Sequence, residues 1–171
     1  MERFIRLDAV ACAFPVENVD TDQLIPARFM KRSRAEGYGQ YLLHDLRFDG
    51  EGRQRVGFPL NDSRHAGAQI LVAARNFGTG SSREAAVYAL FDYGIRCVIA
   101  PSFGDIFASN AVKNGLLPAV VSEADGATLL TTLQEAEAPR ALVDLETCRI
   151  RCGTLDFGFT IDPVRRLQLL N

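Results

Sequence analysis

The sequence predicts an α/β fold, a central and mostly parallel sheet flanked by helices. Two observations predict it. From residue 68 onward, apolar runs of strand length alternate with apolar segments of helix length, and the order strand, helix, strand, helix, strand requires crossovers and hence parallel pairing. The first two helical segments also end on glycine, at Gly94 and Gly115, the residue that best accepts a left-handed C-terminal cap. The chain has 171 residues, 47% of them hydrophobic, which suffices to close a core; no linker, repeat or low-complexity stretch divides it, so one domain over residues 1–171 is expected.

Phe4 to Phe14 opens as a strand, after which the chain reads as irregular to about residue 66, through the polar run Glu17 to Gln23 and a stretch punctuated by Gly37, Gly39, Gly50, Gly52 and Gly57. Long loops within a compact domain are usually functional or mobile. AQILVAAR (68–75) is a buried strand, GTGSS a turn, and REAAVYALFDYG (83–94) a helix. RCVIAPS (96–102) is a strand, SFGDIFASNAVKNG (102–115) a helix, LLPAVVS (116–122) a third strand of this unit and ADGATLLTTLQEAE (124–137) a helix. The last thirty residues return to strands, and Asp162-Pro163 is expected to break the pattern before a short tail.

Composition excludes several function classes. Nineteen Lys and Arg against twenty-one Asp and Glu leave a net charge of −2, too little for an overall field that attracts nucleic acid or an anionic membrane. No run approaches the ~20 apolar residues of a membrane helix, and Glu2, Arg3, Arg6 and Asp8 interrupt the start where a signal peptide needs an unbroken apolar run. A cytoplasmic location is expected. Of Cys12, Cys97, Cys148 and Cys152, only the last two are close; on the strand they suggest, they lie about 13 Å apart, too far to share a metal. His44 and His65, both in loop-like surroundings, have no second ligand at metal spacing. No metal site is expected on this chain.

Two segments carry the chemistry. Gly78-Thr-Gly-Ser-Ser-Arg-Glu84 lies between a buried strand and a buried helix, where open parallel sheets place ligands. Its glycines admit close backbone approach, the helix start offers free N–H groups, and Arg83 supplies a fork for a carboxylate or phosphate, so the expected ligand is an anion. The same residues also spell a capping box, Ser81 to Glu84, with a purely structural role. The pattern lacks the third glycine of a dinucleotide fingerprint and the lysine of a phosphate loop. The second segment is Asn18-Val-Asp-Thr-Asp22, whose carboxylates project to one side if extended or cap the local backbone in an Asx turn. Beyond it, four cations between Arg28 and Arg34 have no interleaved aromatics sufficient for base stacking and read as a solvated face.

Taken together, NVDTDQLIPARF, NFGTGSSRE, DYGIRCVIAPSFGDIFASNAVKNGLLP and FTIDPVRR resemble the 3-isopropylmalate dehydratase small-subunit family of the aconitase superfamily. The resemblance implies an aconitase-type swivelling β/β/α domain that closes over an active site built on a separate large subunit, which carries a four-iron, four-sulfur cluster. It implies a hydro-lyase, active only with that partner, that moves water between positions of a small hydroxy-carboxylate, 2-isopropylmalate or 3-isopropylmalate, in leucine biosynthesis. By the same resemblance Ser81 is the base, Gly80, Ser82 and Arg83 hold a substrate carboxylate, and Thr21 and Asp22 are active-site residues, Asp22 as an acid-base or hydrogen-bonding partner. Arg28 belongs to the segment that helps select the substrate side chain. One departure is Ala85, where members usually carry a histidine; a histidine one helical turn past Ser81 could support the serine, and alanine cannot. Two alternatives stay open: another 2-alkylmalate or a homoaconitate-type substrate, and a binding or regulatory module in which Ser81 remains only a helix cap.

Overall fold

The apolar runs become strands buried on both faces, and their alternate residues feed two separate cores. The computed structural model describes residues 2–171. Strand β1 (Arg6–Phe14) is joined by β2 (Ile70–Ala73), β3 (Cys97–Ala100), β4 (Leu117–Val120), β5 (Arg140–Asp144), β6 (Arg149–Cys152) and β7 (Leu155–Gly158) in the order β4-β3-β2-β1-β5-β6-β7. The first four strands of that order are parallel, and the last three extend the sheet antiparallel. β1 is the pivot. Its second half, Ala11 to Phe14, pairs with β2, whereas its first half, Arg6 to Val10, pairs with β5. Pro118 in β4 lacks an N–H, which is tolerated because β4 is an edge strand; Val120 and Thr160 exchange backbone hydrogen bonds beside it.

Helix α3 (Glu84–Tyr93) covers one face, packing Ala86, Val87, Ala89 and Leu90 on Cys12, Phe14, Leu71, Ala73 and Val98. Helices α5 (Glu123–Glu135) and α6 (Pro163–Leu170) contribute Leu129, Leu133 and Leu169 to the opposite core, with Ala11, Ile70, Val72, Ile99 and Leu117. Helix α4 (Asp105–Lys113) splits its apolar residues between the two, Phe107 and Ala111 against Val112.

Three expectations are corrected. The segment between β1 and β2 is organised by short helices, α1 (Thr21–Leu24) and α2 (His44–Arg47), and by 3-10 turns, with Leu24, Ile25, Leu42 and Leu43 fully buried. Too short for a periodic pattern, these turns are held by single polar anchors: buried Arg47 donates to the carbonyls of Gly39 and Leu42, and the Tyr38 hydroxyl to that of Arg32. Asp162-Pro163 starts α6 instead of ending the structure, since the Asp162 carboxylate accepts from the N–H groups of Val164 and Arg165 and proline suits the first helical position. Cys148 is not on a strand with Cys152: it occupies the β5–β6 turn at φ 54, in the left-handed region. His44 begins α2, and buried His65 closes a 3-10 turn with Nδ1 2.6 Å from the Pro59 carbonyl oxygen.

Burial pushes the Cys12 thiol up to about 12 and raises Cys97 far above the ordinary thiol range. The thiolate is the reactive form, so neither should react in the folded chain. Labelling with a thiol reagent at pH 8, read by mass spectrometry, is expected to modify half-buried Cys148 first and Cys12 and Cys97 only after unfolding; comparable native rates for all would contradict the packing.

Candidate active site

The two motif segments meet at the carboxyl ends of β1 and β2. The Val19 carbonyl accepts from the N–H groups of Gly78 and Thr79, the Thr21 N–H donates to the Thr79 carbonyl (2.9 Å), and the buried Thr21 hydroxyl donates to the Ser81 carbonyl (3.1 Å). Segments about sixty positions apart are thereby stapled together by backbone bonds and the Thr21 hydroxyl. A third segment, leaving β3, completes the floor: the Ser102 hydroxyl accepts from the Asn76 N–H, and the Phe77 carbonyl from the Gly104 N–H.

Glycine is required at two of these places. A Cβ on Gly104 would stand 2.5 Å from the Gly78 carbonyl oxygen, and one on Gly78, at φ 79, would stand 2.3 Å from the Phe107 ring. The loop cannot lie this close to α4 with side chains there.

The Asp-rich segment divides its two carboxylates. Asp20 caps α1: its Oδ1 accepts from the Gln23 N–H at 2.8 Å, and Gln23 Oε1 accepts from the Asp20 N–H at 3.0 Å, a complete capping box. Asp22, in the first turn of α1, turns outward and accepts from Arg83 Nη1. Arg83 is largely covered, with 23% of its side chain exposed, against 63% for Asp22.

The capping box expected at Ser81 and Glu84 is absent. Gly80, at φ 96, and the staple to α1 hold residues 78–82 off the helix path, so α3 starts at Glu84 with Arg83 at the cap position and no side chain capping it. Glu84 instead accepts from Asn114 Nδ2 at 3.0 Å. Ser81 and Ser82 are exposed ahead of the helix. For the same reason Ala85 is not one helical turn from Ser81; it is the second residue of α3 and packs on the core.

Thr21, Asp22, Gly80, Ser81, Ser82 and Arg83 are thus brought together. Arg28 is not part of the cluster: it grips Asp45 with two bonds of 2.9 and 2.5 Å, which holds the Asp45 carboxyl down at about 2, below the usual carboxylate range. Arg34 is likewise paired through Nε and Nη2 with Asp92. Sequence reasoning misses Asn18 and Asn76, which adopt left-handed backbone at φ 56 and 64 and join through an exposed 2.7 Å side-chain bond. Their signal is an asparagine heading each motif, a residue type that tolerates this conformation.

The description "Aconitase C-terminal domain" matches residues 1–124 as a family model. A 3-isopropylmalate dehydratase small subunit of Rhodospirillum centenum is 46% identical over 172 residues, covering 100% of this chain and 85% of the relative. The chain belongs to the 3-isopropylmalate dehydratase small-subunit family. A second member, from Phenylobacterium zucineum, is 47% identical over 99% of this chain and 84% of its own length. Among solved structures, the 3-isopropylmalate dehydratase of Methanocaldococcus jannaschii superposes with a TM-score of 0.71 at 26% identity, covering 96% of this chain and 88% of that one.

An iron-sulfur cluster does not fit this family member's own residues. Cys12 and Cys97 are sealed in opposite cores, and among the described residues no three His, Cys, Asp or Glu side chains converge as metal ligands. No helix among those residues is long and apolar enough to cross a membrane.

Substitution Gly78→Ala is expected to cost about 1–3 kcal/mol in urea unfolding, from left-handed strain and the Phe107 collision. Unchanged stability would contradict the close approach of the loop to α4.

Proposed function

We propose that the chain is the small subunit of a hydro-lyase that interconverts 2-isopropylmalate and 3-isopropylmalate by dehydration and rehydration in leucine biosynthesis, active only with its large subunit. The observation that carries this reading is the exposed Ser81 hydroxyl beside Arg83 and Asp22, in a chain 46% identical to a named small subunit. The whole chain, residues 1–171, acts as one swivelling domain in the cytoplasm. The four-iron, four-sulfur cluster belongs to the large subunit and would there supply a Lewis acid for the departing hydroxyl.

Dehydration requires a proton to leave carbon. Ser81 takes it at Oγ as an alkoxide, a form costly to generate at neutral pH; the uncapped N–H groups at the start of α3 and the Arg83 guanidinium supply the compensating positive potential. Arg83, Ser82 and the Gly80 backbone hold a substrate carboxylate, a task suited to a planar fork and exposed N–H and O–H groups. Thr21 fixes the height of Ser81 through its bond to the Ser81 carbonyl. Asp22 is the adjacent acid-base or hydrogen-bonding group. Arg28, pinned by Asp45, shapes the segment facing the substrate side chain, where discrimination from other 2-alkylmalates or a homoaconitate-type substrate would arise.

One observation favours a second reading, a binding module without turnover: no side chain within the chain hydrogen-bonds the Ser81 hydroxyl among the described residues, and Ala85 packs inward. The test is the same for both. With a reconstituted large subunit, Ser81→Ala is expected to lower kcat at least ~100-fold while the complex still forms by size-exclusion chromatography. Turnover close to wild type would remove Ser81 from the mechanism, and an intact complex without turnover in the wild type would support the binding module.

A further inference from the structure

Three arginine–carboxylate contacts of this chain are of two kinds. Arg28 spans both oxygens of Asp45, and Arg34 spans both oxygens of Asp92 while its guanidinium stacks 3.9 Å over the Tyr88 ring. These pairs are two-point locks. Arg83 meets Asp22 through Nη1 alone, and among the described residues its guanidinium has no other hydrogen-bond partner. The remaining N–H groups of its fork are unspent.

We propose that Asp22 is a built-in competitor for the carboxylate subsite of Arg83: in the substrate-free chain it occupies that guanidinium, and a substrate carboxylate enters by displacing it. The inference rests on the function proposed above and gives Asp22 a second role, as a competitor at that subsite. The arrangement favours exchange in three respects. The α1 staple fixes where Asp22 emerges, so it reaches Arg83 with one oxygen and does not follow the fork into a two-point grip. Asp22 is the exposed member, 63% against 23%, so it rotates into water at little cost while Arg83 stays in place. An incoming carboxylate that engages two N–H groups forms the stronger, charge-assisted pair. Displacement also frees Asp22 at the moment substrate arrives, beside the reacting atoms.

Succinate, a dicarboxylate that cannot be dehydrated, is the probe, titrated into the full chain at low salt and followed by NMR of the Arg83 guanidinium and Asp22 carboxyl signals. Asp22→Asn is expected to tighten succinate binding about 2–5-fold, the worth of an exposed ion pair, and Arg83→Gln to abolish it with or without Asp22→Asn. Glu84→Gln, which removes a neighbouring charge without freeing Arg83, is the control and should change affinity less than Asp22→Asn. In wild type the Asp22 carboxyl signal should shift with the same midpoint as Arg83. Unchanged or weaker binding in Asp22→Asn, an equal gain in Glu84→Gln, or an Asp22 signal that stays fixed at saturation would overturn the proposal. In the complex, Asp22→Asn should lower KM by a similar factor and lower kcat as well. Displacement on the isolated chain without turnover in the complex would overturn the enzymatic reading while leaving the exchange standing.

Discussion

The site depends on one contact between segments: the end of β1 and the start of α1 bonded to the loop after β2. Four hydrogen bonds, from Gly78 and Thr79 to Val19 and from Thr21 to Thr79 and Ser81, make two sequence motifs into one surface. Parallel neighbours place their carboxyl ends side by side, so β1 and β2 deliver both segments to the same edge of the sheet. The buried strands below provide the rigidity, and the loop provides the exposed hydroxyls. The glycines at 78 and 104 let the loop lie down on α4 so that this bonding can occur.

The staple also explains why α3 begins late. The Ser81 carbonyl, committed to Thr21, is not free for a helical bond, and Ser81 stays outside α3, whose first turn remains without a side-chain cap. The first turn of α3 has no side-chain cap, and Arg83 keeps guanidinium N–H groups free beside its contact with Asp22, so hydrogen-bond donors remain at this edge of a chain of net charge −2. On the proposed function these donors meet an anionic substrate.

Much of the architecture was legible because it is written locally. The runs at 70–73, 97–100 and 117–120 are apolar on both faces, as parallel strands between helix layers must be, and Gly94 and Gly115 mark the ends of α3 and α4. The illegible parts depend on tertiary choice. Asp20-x-x-Gln23 and Ser81-x-x-Glu84 both spell a capping box, and only the hydrogen bonds between their segments decide that the first forms and the second does not. Asp162-Pro163 can stop one pattern or start another, and the start prevails because Asp162 caps the first turn of α6. The turns between residues 15 and 66 bury leucines without periodicity, held by Tyr38 and Arg47 contacts that no short window reveals. The Arg83–Asp22 pair spans sixty-one positions and was equally out of reach.

On the proposed function, the staple presents Ser81 to the substrate while Arg83 holds a carboxylate. A crystal structure of the closed complex of this chain and its large subunit, with a non-reactive substrate analogue bound, tests this most directly. The account predicts Ser81 Oγ within about 3.5 Å of the carbon that loses its proton, with Arg83 on the carboxylate and the Thr21 to Ser81 bond intact. A Ser81 hydroxyl turned away from the analogue, with a large-subunit side chain at that carbon instead, would contradict it.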